Sequence, residues 1–349
     1  AVALDRNDNR ALFRSRLLLD HDRALRTADL AALYADLGLE EASHRAASGA
    51  VDASYSDYAG HLFIARSLQQ LDDASQFEVR FETPRESELL LANLLAPADA
   101  ASLSRHISPQ AHLSYFAPRA VGFSSQTEYR SNGDWAQTAT LHGSFPGLSY
   151  ALDAQYLCFN GQQPNAGFEH TSVSLQVKQD LTPADGLYFQ FGWSDGMNQD
   201  IAQRYAPTVT VSGFRAVERQ LPQLYAGYHH AWHPGSHTLL LIGHLEDDFS
   251  LTNPQATEIF LRQSGGQFIS AQTDPFFRHD FGSDFNLTSV EVQQLWETPE
   301  HAVIIGVRYQ AGEVSAKSVL TRALTGIVTD QALFADQERL NGYGYYQWR

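Results

Sequence analysis

The sequence predicts a mainly β protein, an antiparallel transmembrane β-barrel of about twelve strands or a segment of a larger one, behind a small α-helical repeat-like domain. Three observations predict it. The spacing of apolar residues changes from helical to a period of two along the chain. The connections between the alternating runs sort into short and long ones. Aromatic rings gather near the expected strand ends, as they do where a barrel meets lipid headgroups.

Composition narrows the class further. The 349 residues carry 40 acidic and 24 basic side chains, a net charge of −16, and 43% are hydrophobic. That apolar content is too high for a disordered chain. The acid excess repels phosphate backbones, so nucleic acid is not an expected partner. One cysteine, Cys158, excludes a disulfide framework within the chain and a multi-cysteine metal cage. The longest apolar runs, such as 239–242 and 302–307, fall far short of the ~20 residues of a membrane-spanning helix. Barrel strands, short and alternating, escape that test.

Residues 1–71 read as helices. Over 24–37, Ala24, Ala28, Leu30, Ala31, Tyr34 and Leu37 form a wide apolar face at helical spacing. Gly38 stops this helix, because a left-handed cap costs glycine nothing. Glu40 and Glu41 open the next, where the helix dipole favours acids, and it runs to about Ala53. A third runs from Asp57, its N-cap, to Leu71. Leu30, Tyr34, Gly38 and Ala50 resemble the tetratricopeptide repeat, a helix–turn–helix unit of about 34 residues, with Tyr55 where the repeat usually ends on proline. One such unit cannot cover its own apolar side. Leu30, Tyr34, Leu62 and Phe63 are therefore expected to dock a protein partner or the barrel mouth.

Residues 72–118 read as a linker packed on or in the barrel. A brief alternation at 77–81 and a short helix over 86–95 interrupt it, and Pro97, Pro109 and Pro118 punctuate it.

From 119 to 349 the period is two. Leu148, Tyr150, Leu152, Ala154 and Tyr156 alternate with polar or small residues. So do Thr171, Val173, Leu175 and Val177, then Leu187, Phe189, Phe191 and Trp193, then Val303, Ile305, Val307 and Tyr309. Short connections are expected at 146–147, 182–186, 233–236, 264–266 and 298–300. Long ones are expected at 159–167, 195–218, 249–255, 276–284 and 314–337. The first connection, 131–133, is short where a long one is due. This sorting by parity is the habit of transmembrane barrels, whose hairpins are short on one side and extended on the other. Tyr129, Trp135, Tyr156, Trp193, Trp232, Trp296, Tyr343, Tyr345, Tyr346 and Trp348 supply the two aromatic girdles. In a soluble sandwich the same rings would be core.

The apolar face is expected to meet outer-membrane lipid and the other face the interior. Glu128, Arg130, Asp153, Gln155, Gln176, Lys178, Gln190, Arg262, Glu291 and Arg308 are thus expected to face the lumen. Both charge signs occur among them, which suits a water-filled or side-chain-filled interior and the passage of hydroxyl-rich solutes. On this reading Phe189→Arg blocks assembly and Gln190→Arg is mild.

Catalytic chemistry finds no pattern. His229 and His230 are adjacent on a strand and point to opposite faces, His233 and His237 bracket a turn, and no His-Glu-x-x-His occurs. No metal, cofactor or catalytic residue is assigned.

The combination resembles the tetratricopeptide-repeat-plus-porin family that exports exopolysaccharide across Gram-negative outer membranes. That family carries a longer repeat array and more strands. The resemblance implies transport or secretion of a polar solute or polysaccharide, with the helices in the periplasm docking protein partners. The alternative is a closed structural barrel that anchors a larger surface assembly.

Overall fold

The computed structural model describes residues 19–69, 83–101, 103–104, 120–200 and 211–348. The alternation expected at 77–81 and the whole segment 105–119, with Pro109 and Pro118, lie outside them.

Four helices come first: α1 (Leu19–Asp36), α2 (Glu40–Ala53), α3 (Tyr58–Gln69) and α4 (Pro84–Leu95). Gly38 ends α1 with φ +70°, and the Leu39 amide returns to the Tyr34 carbonyl at 2.9 Å. Asp57 caps α3 through Oδ1, which accepts the Ala59 amide at 2.9 Å. At α4, the Thr83 side chain accepts the Glu86 amide at 3.1 Å and Pro84 opens the first turn.

The first three helices have a small core of their own. Leu30, Ala31, Ala46 and Ala47 are buried, with Tyr34, Phe63 and Ile64 packed against them. Ser43 Oγ donates to the Ala31 carbonyl at 2.9 Å across α1 and α2. Arg66 lies over the Phe63 ring, and burial pulls its guanidinium down to about 10. Leu30, Tyr34 and Phe63, expected at a docking face, therefore pack within the helical layer, and Leu62 is half-buried. Among the described side chains of this layer, the exposed large apolar ones are Leu33, Leu37 and Leu39, at the α1–α2 corner.

Ten strands follow in one antiparallel sheet whose spatial order is the chain order. They are β1 (Ala120–Tyr129), β2 (Trp135–Phe145), β3 (Leu148–Phe159), β4 (Phe168–Thr182), β5 (Asp185–Asn198), β6 (Arg215–His233), β7 (Ser236–Ser264), β8 (Gln267–Glu297), β9 (His301–Arg322) and β10 (Val328–Trp348). Among the described residues β1 and β10 do not pair, so the sheet has two open edges.

Among the described residues there are ten strands where about twelve were expected, and the reason is local. The stretches 249–255 and 276–284 are not loops; they lie inside the paired strands β7 and β8. Register shifts at Asn253, Ala256 and Glu258 absorb the Asn253-Pro254 punctuation as bulges. Residues 314–337 are likewise a long hairpin between β9 and β10, turning through Gly326 at φ +68°. At 195–218 the strands run on to Asn198 and resume at Arg215; residues 201–210 are outside the described set.

Side chains alternate between the two faces through the middle of β3, β4 and β5. Ser149, Ala151 and Asp153 on β3, Ser174, Gln176 and Lys178 on β4, and Gly186, Tyr188 and Gln190 on β5 are buried. Leu152, Leu187 and Phe189, the intervening residues, are exposed. The buried face is the one the helices cover. Leu90, Leu94 and Leu95 of α4, with Ala96, Ala101 and Leu103 after it, pack on Ala151, Tyr188, Tyr225, Leu239, Leu245, Leu295 and Ile304. Gly227 admits α4 at closest approach: a Cβ there would lie 2.3 Å from Leu94 Cδ2.

Candidate functional site

The site is the seam between α4 and the polar face of the sheet. Tertiary folding places a row of polar side chains on the covered face, because cross-strand register aligns them. Thr140 pairs with Asp153 and Asp153 with Ser174; Gln176 pairs with Gln190 and Gln190 with Tyr225.

Most buried groups in this row have a partner, as burial demands; Gln176 Nε2 has none among the described residues. Asp153 accepts Thr140 Oγ1 at 2.6 Å and Ser104 Oγ at 2.8 Å. The Tyr188 hydroxyl lies 3.0 Å from Gln176 Oε1 and 2.6 Å from Gln190 Oε1. Gln190 Nε2 donates to Glu86 Oε1 of α4 at 2.6 Å. Lys178 Nζ donates to the Leu94 carbonyl at 2.8 Å, and Asp180 Oδ2 accepts the Ala98 amide at 2.9 Å.

A second tie holds the α2–α3 corner. Glu297, the last residue of β8, accepts the Tyr55 amide at 2.8 Å and the Ser56 amide at 3.0 Å. It also accepts the Ser54 and Ser56 hydroxyls. Behind this corner, fully buried His61 spans Glu88 Oε2 at 2.6 Å and the Tyr55 carbonyl at 2.7 Å. The ring thus bridges the start of α3 and α4. Burial raises the hydroxyl pKa of Tyr55 above its ordinary value, and nearby carboxylates add to the shift.

Between α4 and β6–β10 lies a cavity of about 250 Å³. Leu90, Leu91, Leu94 and Leu239 form its apolar wall, and Glu86, Glu88, Glu291, Arg308, Gln293 and Tyr343 its polar one. Tyr343 donates to Glu291, and Arg308 Nε stands 3.8 Å from Glu291. The Tyr343 ring fills the space a Cβ at Gly306 would need. Its ring therefore faces the cavity and does not join an aromatic girdle.

The residues expected on the polar face separate into three groups. Asp153, Gln176, Lys178 and Gln190 are gathered under α4, while Glu291 and Arg308 line the cavity. Gln155 is half-buried further along the same face. Glu128 and Arg130 pair with each other at 2.8 Å, exposed near the first turn. The Arg262 side chain is outside the described residues. Sequence reading missed Glu86, Glu88 and Glu297. Thr83-Pro84-Arg85-Glu86 does carry a capping-box signature, but its carboxylate turns to Gln190. Among the described residues, no group of three or more His, Cys, Asp or Glu side chains converges on a metal-sized point.

The opposite face is apolar. Leu141, Leu152, Leu187, Phe189, Ile242, Val290, Val292, Ile305 and Val307 are all exposed. Tyr129 and Trp135 meet edge to face near the first turn. Trp232, Trp296, Tyr346 and Trp348 lie near the short turns at the other end.

No protein-family model and no curated protein matches the chain. Solved structures that it resembles include the copper transporter OprC (TM-score 0.48, 10% identity, 67% of this chain and 35% of that one). The ferric citrate transporter FecA in its unliganded form gives a TM-score of 0.42 at 12% identity, over 66% of this chain and 35% of that one. The ferric yersiniabactin uptake receptor FyuA from Yersinia pestis gives 0.37 at 11% identity, over 65% and 43%. The chain spans less than half the length of each.

Proposed function

We propose that the ten strands are wall of an outer-membrane β-barrel, with the exposed apolar face towards lipid and the helix-covered face towards the interior. The observation that carries this reading is the exposed apolar surface itself. Leu152 pairs with Leu141 and Leu175, and Ile242 with Ala226 and Val290, so the patch is continuous across strands. In water such a surface is an aggregation or interaction site; in lipid it is the ordinary exterior of a barrel. On β3 the outward residues from Tyr150 to Tyr156 belong to a strand of 12 residues, enough for the ~9–11 that cross a bilayer at a tilt.

On this proposal the interior passes a polar, hydroxyl-rich solute, with polysaccharide the class favoured by the mixed polar side chains Glu291, Gln293 and Arg308 that line the cavity beside α4. Helices α1–α3 would lie at the periplasmic mouth, with α4 inside the barrel. The tie of the α2–α3 corner to Glu297 and that of Ala98 to Asp180 are beside the short turns at 298–300 and 183–184, and short turns are periplasmic in outer-membrane barrels. Leu33, Leu37 and Leu39 are the residues left to dock a protein partner.

Reconstitution into brominated-lipid vesicles tests the membrane reading. Quenching of Trp232 and Trp296 fluorescence is expected, and its absence would refute lipid contact. A second reading, a closed barrel that anchors an assembly, is favoured by the filled seam under α4. Planar-bilayer recording separates the two: steady conductance supports passage, and a sealed bilayer with inserted protein supports the closed form.

A further inference from the structure

The cavity beside α4 has two chemically distinct sides. Glu86 and Glu88 stand on the first turns of the helix and Leu90, Leu91 and Leu94 on the later ones, so polarity changes along it. On the sheet, Glu291, Gln293, Arg308 and Tyr343 come from β8–β10, and Tyr225, Leu239 and Leu241 from β6 and β7. The lining carries three carboxylates against one guanidinium, a formal excess of two negative charges. Each carboxylate is held by a partner: Glu86 by Gln190, Glu88 by His61 and Glu291 by Tyr343. An ionised carboxylate can accept about four hydrogen bonds, so the lining keeps acceptor capacity beyond these contacts.

That balance repels anions and favours a cationic donor. The leucine side disfavours a bare hydrated ion, because it offers no hydrogen bond in exchange for the water removed. The volume of about 250 Å³ exceeds the ~150 Å³ that admits benzene and falls below the ~300 Å³ at which sites for drug-sized ligands begin. It has room for one ring, or a chain of similar size, and one polar head. We propose that the cavity is a binding site for a primary ammonium carrying a small aryl or alkyl body. The head lies among the carboxylates and the body against Leu90, Leu91 and Leu239. Tyr343 and Arg308 keep Glu291 at the cavity wall. A hydroxyl-rich solute in passage would touch the polar side alone, whereas this ligand uses both. The site does not rest on the passage reading, because α4 and the sheet form it in a conducting and in a sealed barrel alike.

The test is calorimetric titration of the full chain in detergent micelles with three probes of similar size: phenethylammonium, phenethyl alcohol and hydrocinnamate. Each is corrected for uptake by protein-free micelles. The ammonium should bind at one equivalent, the alcohol about tenfold more weakly and the carboxylate not at all. Glu291→Gln should weaken the ammonium by a similar factor and leave the alcohol unchanged. Leu91→Phe, which fills the apolar side, should weaken both. Equal affinity for the three probes, no saturable binding of the ammonium, or binding unchanged in both variants would overturn the assignment. A second measurement needs no variant. Ring protons of the bound ammonium should show nuclear Overhauser contacts with leucine methyls of the protein; contacts with detergent alone refute the site.

Discussion

The Lys178 ammonium, 1% exposed, donates to the carbonyl oxygen of Leu94 at 2.8 Å. Leu94 is the penultimate residue of α4, where carbonyls have no partner within the helix and the dipole is negative. A cation on the sheet thus satisfies the end of a helix eighty-four residues earlier in the chain. The apolar contact of Leu94 with Gly227 beside it fixes how close the helix can come.

Removing that donor should release the helix end. Lys178→Met leaves the Leu94 carbonyl buried without a donor, at a cost of ~1–3 kcal/mol. Amide exchange in α4 should accelerate, while exchange in β4 and β5 changes little. Unchanged protection of α4 would show that the apolar contacts alone hold it.

Phe189 and Gln190 are neighbours with opposite fates. Phe189→Arg on the proposed lipid face should cost ~2–4 kcal/mol near the midplane and block insertion into vesicles. Gln190→Arg, mild by sequence reasoning, becomes costly because Gln190 is fully buried between Tyr188 and Glu86. It should insert and yet expose α4 to protease. Insertion of both variants at the wild-type level would count against lipid contact at Phe189.

The comparison of these two residues also shows what sequence can carry. Alternation at 148–156 and 187–193 depends only on the order of residues, so the two faces were legible directly. So were Gly38 and Asp57, whose capping acts within one turn. The strand number was not, because Asn253-Pro254 reads as a turn unless cross-strand pairing is known to continue past it. Glu86 and Glu297 were illegible for the same reason: each has its partner across the tertiary seam, more than a hundred residues away. His229 read as a strand residue and His237 as a turn residue, and only the register sets them side by side.

Glu297 is the sheet's hold on the α2–α3 corner. Glu297→Ala removes the acceptor of the Tyr55 and Ser56 amides, and hydrogen bonds to a charged group are worth ~1.5–3 kcal/mol each. Residues 54–57 should become the first site of limited proteolysis. Ser56→Ala in the same background should add almost nothing, because its hydroxyl partner is already gone. Additive effects in that double-mutant cycle would argue against a shared tie.

Alkaline pH should loosen the same corner. Burial holds the Tyr55 and Tyr58 hydroxyls above the ordinary phenol value of 10.0 in the folded protein. The folded state therefore keeps protons that the unfolded chain gives up as pH passes 10, and stability falls with rising pH in that window. Below pH 10 both states are protonated and the contribution is intact. The urea midpoint of the helical layer, followed by amide exchange, should drop between pH 9 and pH 11. Tyr55→Phe combined with Tyr58→Phe should flatten that drop, since neither ring can then ionise. A drop of the same size in the double variant would place the alkaline sensitivity elsewhere in the chain.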